Sequence, residues 1–86
     1  MKYKETDFLE TATQDILDRI ARARELTREY YNSNYKDIEK RRAILRELLG
    51  SVGENVAIDT PFYCDYGKNI FIGNDVIINI NCTFVD

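Results

Sequence analysis

Tyr66-Gly67-Lys68-Asn69-Ile70-Phe71, Ile72-Gly73-Asn74-Asp75-Val76-Ile77, Ile78-Asn79-Ile80-Asn81-Cys82-Thr83 and Phe84-Val85-Asp86 are consecutive, and in sixes they repeat. The first place is always large and apolar: Tyr66, Ile72, Ile78, Phe84. The second is Gly67, Gly73, Asn79 and Val85; the fifth is Ile70, Val76 and Cys82. Upstream, Val52-Gly53-Glu54-Asn55-Val56-Ala57 and Ile58-Asp59 echo the pattern, shifted by two residues. A lone half-buried strand alternates every second residue. Recurrence at six, beside residues that tolerate left-handed backbone, predicts short strands separated by sharp corners. Three strands and three corners close one coil of about eighteen residues, the hexapeptide-repeat parallel β-helix. Stacking at that period predicts Ile58 near Val76, Phe62 near Ile80, Cys64 near Cys82 and Tyr66 near Phe84. A Cys64–Cys82 disulfide would then be within reach; the simpler expectation is two free thiols packed as small hydrophobes.

The chain changes character at Gly50. Before it, the pattern is charged and helical. Ile16, Ile20, Ala23 and Tyr30, with Leu17, Ala21 and Leu26 beside them, form an apolar stripe. Thr11 and Gln14 have capping-box spacing. Asn32-Ser33-Asn34 should end this helix and supply, through Ser33 or Asn34, the cap of a second. Ile38, Leu45 and Leu48/Leu49 are its expected buried face, with Gly50 at positive φ as its C′ residue. Lys40-Arg41-Arg42 and Arg46 read as a solvated face paired with Asp37, Glu39 and Glu47 at helical distances. Tyr30 and Tyr31 read as packing residues. The expected architecture is α+β: a helical hairpin over residues 1–50, then about two coils of parallel β-helix over residues 51–86.

Composition narrows the function. Hydrophobic residues at 44% with 31% charged residues suit a folded domain rather than a disordered one. A net charge of −3 gives nucleic-acid binding no electrostatic support. No apolar run is long enough to span a membrane, and Met1–Asp7 contains no apolar signal core. Two cysteines suit a reducing compartment, so a cytoplasmic location is expected. With no histidine, the chain by itself can supply neither a histidine base nor a Ser-His-Asp triad. Two thiols without further ligands do not complete a zinc site.

The stretches Val52-Gly53-Glu54-Asn55, Thr60-Pro61-Phe62-Tyr63-Cys64-Asp65-Tyr66-Gly67, Asn69-Ile70-Phe71-Ile72-Gly73 and Asn79 to Asp86 resemble the maltose/galactoside O-acetyltransferase family. The Glu39-Lys40-Arg41 helix resembles that family's amino-terminal segment. The resemblance implies a left-handed β-helix and transfer of an acetyl group from acetyl-coenzyme A to a sugar hydroxyl. It also implies homotrimers with active sites in the clefts between neighbouring β-helices. Asn79 matches an acceptor-site asparagine, and Asp65 stands where the family has Asp or Ser. Either could orient a sugar hydroxyl by hydrogen bonding; either could equally be a corner residue. A further acidic acceptor-site position of the family falls near Glu10-Thr11.

The family's histidine base and most of its coenzyme A groove match nothing up to Asp86. The 86 residues alone are therefore expected to be inactive and not to bind acetyl-coenzyme A. A coil edge ending near Asp86 would be unpaired and adhesive. The alternative expectation is a non-catalytic oligomerisation module built on the same elements.

Overall fold

The computed structural model describes the chain from Glu5, with side chains from Thr11 onward. Two helices, α1 (Glu5–Asn32) and α2 (Ile38–Leu48), precede six short strands. These are β1 (Ser51–Val52), β2 (Val56–Ile58), β3 (Phe62–Cys64), β4 (Phe71–Ile72), β5 (Val76–Ile78) and β6 (Cys82–Phe84).

No glycine or proline occurs before Gly50, and α1 runs without a break through Thr11. Thr11 is thus inside the helix instead of capping it. Asn32 ends α1 as expected, but the cap of α2 is Asp37, whose Oδ1 accepts from the Lys40 N–H at 3.2 Å. Asn34 is occupied in a local turn, its Oδ1 accepting from the Lys36 N–H at 2.8 Å. Ser33 is buried and receives the Arg41 Nε–H at 3.0 Å.

The strands pair only in parallel: β1 with β4, β2 with β5, β3 with β6. Partners are twenty residues apart, Val52 with Ile72, Ile58 with Ile78, Phe62 with Cys82 and Cys64 with Phe84. The eighteen-residue stacking is therefore corrected. Corners 53–55 and 59–61 hold three residues each, whereas 65–70 holds six, and the surplus lengthens the turn. The two-residue shift between Val52-Gly53 and the later repeats is the imprint of that longer corner. Cys64 stacks on Phe84 and Cys82 on Phe62, so the cysteines do not face one another, and both are free.

Left-handed backbone falls late in the corners, at Asn55 (φ 55°), Asp75 (φ 58°) and Asn81 (φ 61°). Of the second-place residues, Gly67 alone has it (φ 87°). At two stacked corners the side chains join, Asn55 Nδ2 donating to Asp75 Oδ1 at 2.8 Å. Gly50 is not left-handed. Its hydrogen lets the Lys68 carbonyl pass where an added Cβ would be 2.4 Å away.

One core joins helices and strands. Ala23, Leu26 and Tyr30 of α1, and Ile44, Leu45 and Leu48 of α2, pack with Leu49, Ile58, Phe62, Cys64 and Ile70. Tyr30 meets Phe62 edge to face at 5.4 Å, and Phe62 meets Phe84 at 6.5 Å. Such pairs contribute ~0.5–1.5 kcal/mol each beyond burial. The Tyr30 hydroxyl donates to the Ile58 carbonyl at 2.6 Å, tying the end of α1 to β2. Arg24 donates to the Cys64 carbonyl at 2.6 Å, and Arg22 reaches the carbonyls of Glu47 and Tyr66.

Two expectations about buried faces fail. Ile38 is 74% exposed, and Ile44 takes the place beside Leu45 and Leu48. On α1, the stripe is buried from Ala23 onward, while Ile16 and Leu17 are exposed. No helix of the described residues is long and apolar enough to cross a membrane.

Candidate functional site

A cleft of about 370 Å³ opens between α2 and the β2–β5 ladder. Its floor is Ile58 and Ile78, and its polar rim includes Arg41, Arg42, Asn55, Asp59 and Asn79. That volume lies in the small-ligand range of ~300–1,000 Å³.

Asn79 follows β5 and stands at the mouth of this cleft. It is exposed, and its side chain makes no hydrogen bond among the described residues. The left-handed residue of its corner is Asn81, so backbone conformation does not call for asparagine at 79. Twenty residues earlier, Asp59 occupies the equivalent place, and its Oδ1 accepts from the Thr60 N–H at 2.8 Å. Asp59 escaped sequence reading because only the longer period aligns it with Asn79.

Arg41 and Arg42 do not pair with helical acids. The Arg41 guanidinium lies 4.7 Å from the Tyr30 ring centre and 4.9 Å from that of Tyr35. Arg42 pairs with Glu54 at 2.9 Å, joining α2 to the first corner of the strands. Tyr30 is a packing residue as expected. Desolvation by burial raises its hydroxyl above the ordinary value, with Arg41 opposing, so it stays protonated at neutral pH. Tyr31, in contrast, is exposed.

Asp65 opens the six-residue corner after β3. It is absent from the lining of the cleft, and β3 and β5 belong to different ladders, so the chain does not bring Asp65 and Asn79 together. The Asp65 N–H donates to the Phe84 carbonyl at 3.3 Å and to Asp86 Oδ1 at 3.1 Å. The same carboxylate receives the N–H groups of Tyr66 (2.9 Å), Gly67 (2.8 Å) and Asn69 (3.3 Å). The whole corner is wrapped around Asp86, a backbone nest closed by an internal anion. The Glu10 side chain lies outside the described residues; Thr11 is exposed on α1.

Cys64 offers no nucleophile. Burial first, then the Asp86 charge, pushes the Cys64 thiol up to about 11, so it remains a thiol at neutral pH. Among the described residues no group of three or more His, Cys, Asp or Glu could hold a metal ion.

Two capping helices that lead into parallel six-residue strand repeats define the opening portion of a hexapeptide-repeat acetyltransferase. The family model described as "Maltose acetyltransferase hexapeptide capping motif" matches residues 11–53. An acetyltransferase-named protein of Staphylococcus haemolyticus is 41% identical over 73 residues, covering 85% of this chain and 38% of the relative. The galactoside O-acetyltransferase of Escherichia coli K12 is 38% identical over 65 residues, covering 76% of this chain and 32% of the relative. A galactoside acetyltransferase structure in complex with coenzyme A superposes with a TM-score of 0.76 at 35% identity, over 83% of this chain and 36% of that one. The chain belongs to the maltose/galactoside acetyltransferase family and matches its amino-terminal part. It spans about a third of the length of the relatives it matches.

Proposed function

We propose that this chain is the amino-terminal part of an acetyl-coenzyme A-dependent sugar O-acetyltransferase. Residues 1–50 are the helical cap, and residues 51–86 are the first two coils of a left-handed parallel β-helix. Asn79 carries the reading: it is exposed, unbonded and at the mouth of the cleft, in a corner that has no backbone need of it. It orients the acceptor hydroxyl as a hydrogen-bond partner. Asp65 serves the same acceptor from a neighbouring copy. Their places on different ladders support an assembly, a homotrimer, in which one subunit's β5 corner meets another's β3 corner.

In this reading the 86 residues alone do not hold acetyl-coenzyme A. Arg41 and Arg42, the basic groups at the cleft, are engaged with tyrosine rings and Glu54. No histidine is present to serve as base. Isolated, these residues bind the acceptor side of the reaction at most and transfer nothing.

The test is thiol release from acetyl-coenzyme A with maltose, galactosides and glucose as acceptors, using an acetyltransferase that begins with these 86 residues. Asn79→Ala should raise the acceptor KM or lower kcat, with KM for acetyl-coenzyme A unchanged. Unaltered acceptor kinetics would remove Asn79 from the site.

A further inference from the structure

We infer that the groove between the second half of α1 and β3 binds a small anion that carries a flat ring, an aromatic carboxylate or phosphate. This groove shares no lining residue with the α2 cleft, so the inference does not rest on the acetyltransferase reading. Its volume is about 360 Å³, within the small-ligand range of ~300–1,000 Å³.

Charge selects the anion. Arg24 and Arg28 lie one turn apart on α1, and both line the groove. Like charges at that spacing repel on a helix surface. No acidic side chain lines the groove to offset them. The ion pairs among the described residues, Arg19 with Asp15 and Arg42 with Glu54, involve neither arginine. Arg24 is anchored, because one of its N–H groups donates to the Cys64 carbonyl at 2.6 Å and holds the guanidinium at the end of β3. Arg28 is exposed, and its guanidinium has no hydrogen bond, ion pair or ring contact among the described residues. A chain of net charge −3 thus keeps two unneutralised cations side by side. A bound anion relieves their repulsion and meets a planar fork of donors suited to carboxylate or phosphate.

The walls select the ring. Along β3 the buried Phe62 and Cys64 alternate with an outward Tyr63, which is 48% exposed. Tyr31 lines the groove from α1 at 57% exposure, and Phe62 closes its floor. Each tyrosine offers a π face to a planar ligand. The Thr27 hydroxyl already donates to the Arg24 carbonyl at 3.1 Å, and no carboxylate or amide side chain lines the groove. That lining suits a polar end that accepts hydrogen bonds and disfavours a neutral polyol, whose hydroxyls must also donate. A cationic ring would stack on tyrosine but meet repulsion from both arginines.

Titration of the ¹⁵N-labelled chain with phenyl phosphate and with phenylacetate tests it. Inorganic phosphate (charge alone), benzyl alcohol (ring alone) and phenyltrimethylammonium (ring with opposite charge) are the comparisons. At least one of the two ring-bearing anions should bind about tenfold more tightly than every comparison, with amide shifts centred on residues 24–31 and 61–63. The tighter of the two identifies the anionic group as phosphate or carboxylate. Arg28→Gln should weaken that ligand roughly tenfold, the scale of a lost charge-assisted hydrogen bond, and leave benzyl alcohol unchanged. Arg28→Lys, which keeps the charge without the fork, should recover part of the loss. Tyr63→Ala should weaken the same ligand several-fold. Both side chains are exposed, and unchanged far-UV circular dichroism verifies folding. Affinity no better than the comparisons, shifts centred on α2, or affinity unmoved by Arg28→Gln or by Tyr63→Ala would overturn the inference. None of these outcomes bears on acceptor kinetics at Asn79, so the two readings fail separately.

Discussion

Replacing Asp86 with alanine should loosen the corner that carries Asp65 while leaving the helices intact. The Asp86 carboxylate receives four backbone N–H groups, those of Asp65, Tyr66, Gly67 and Asn69, between 2.8 and 3.3 Å. Hydrogen bonds to a charged group contribute ~1.5–3 kcal/mol each when the freed partner cannot reach water. The Asn69 bond is exposed and water replaces it at little cost, whereas the other three are partly buried. Discounting those three for partial hydration gives a loss of about 2–4 kcal/mol. Asp86→Asn keeps one acceptor oxygen and should lose roughly half as much. Urea unfolding followed by circular dichroism measures the stability, and amide exchange at Gly67 measures the corner directly. Added acetate should restore part of the Gly67 protection in Asp86→Ala by entering the vacated nest. A loss below ~0.5 kcal/mol, the scale of an ordinary surface substitution, with Gly67 protection unchanged, would refute the nest as an organising element.

Gly67→Ala meets both a left-handed backbone and the Leu48 carbonyl 2.5 Å from the new Cβ, so it should cost more than ~1 kcal/mol, measured by urea unfolding. Phe62→Ala removes the ring between Tyr30 and Phe84 and should cost about 3–5 kcal/mol in the same assay. The folded state raises Cys64 to about 11 and Tyr30 above its ordinary value, so each holds its proton more tightly than in the unfolded chain. The unfolded chain loses these protons first. Stability should hold through neutral pH and fall as pH rises from about 9 towards 11. A stability plateau across that window contradicts the burial of both groups. Iodoacetamide at pH 8 should label Cys82 faster than Cys64; equal rates would contradict the packing of Cys64 beneath Phe84.

The hexapeptide pattern was legible because inward side chains must recur where corners are sharp, and Ile58, Cys64, Ile72 and Ile78 all lie on that recurrence. A six-residue period gives eighteen residues per turn only when the three corners are equal, and the two-residue shift at Val52 belongs to the longer corner 65–70. That corner is long because it encircles Asp86, and nothing in a six-residue pattern announces a carboxylate used as an internal ligand. Left-handed positions were displaced because glycine and asparagine occur at both ends of the corners, and only the backbone shows which end turns. Ile38 fits the apolar period of α2 but is exposed, because periodicity marks a helix face and not how far along it the packing extends. Asn79 and Asp65 were found through family resemblance. Their separation, and the gathering of Arg41, Arg42 and Asp59 beside Asn79, depend on pairings between residues distant in sequence.

The twenty-residue register underlies the placement of every site residue, and an NOE spectrum of the isotope-labelled chain tests it most directly. Cross-strand contacts should link Ala57 with Ile77, Phe62 with Cys82 and Cys64 with Phe84. Contacts linking Phe62 with Ile80 and Cys64 with Cys82 instead, or any antiparallel set, would contradict the architecture and the site built upon it.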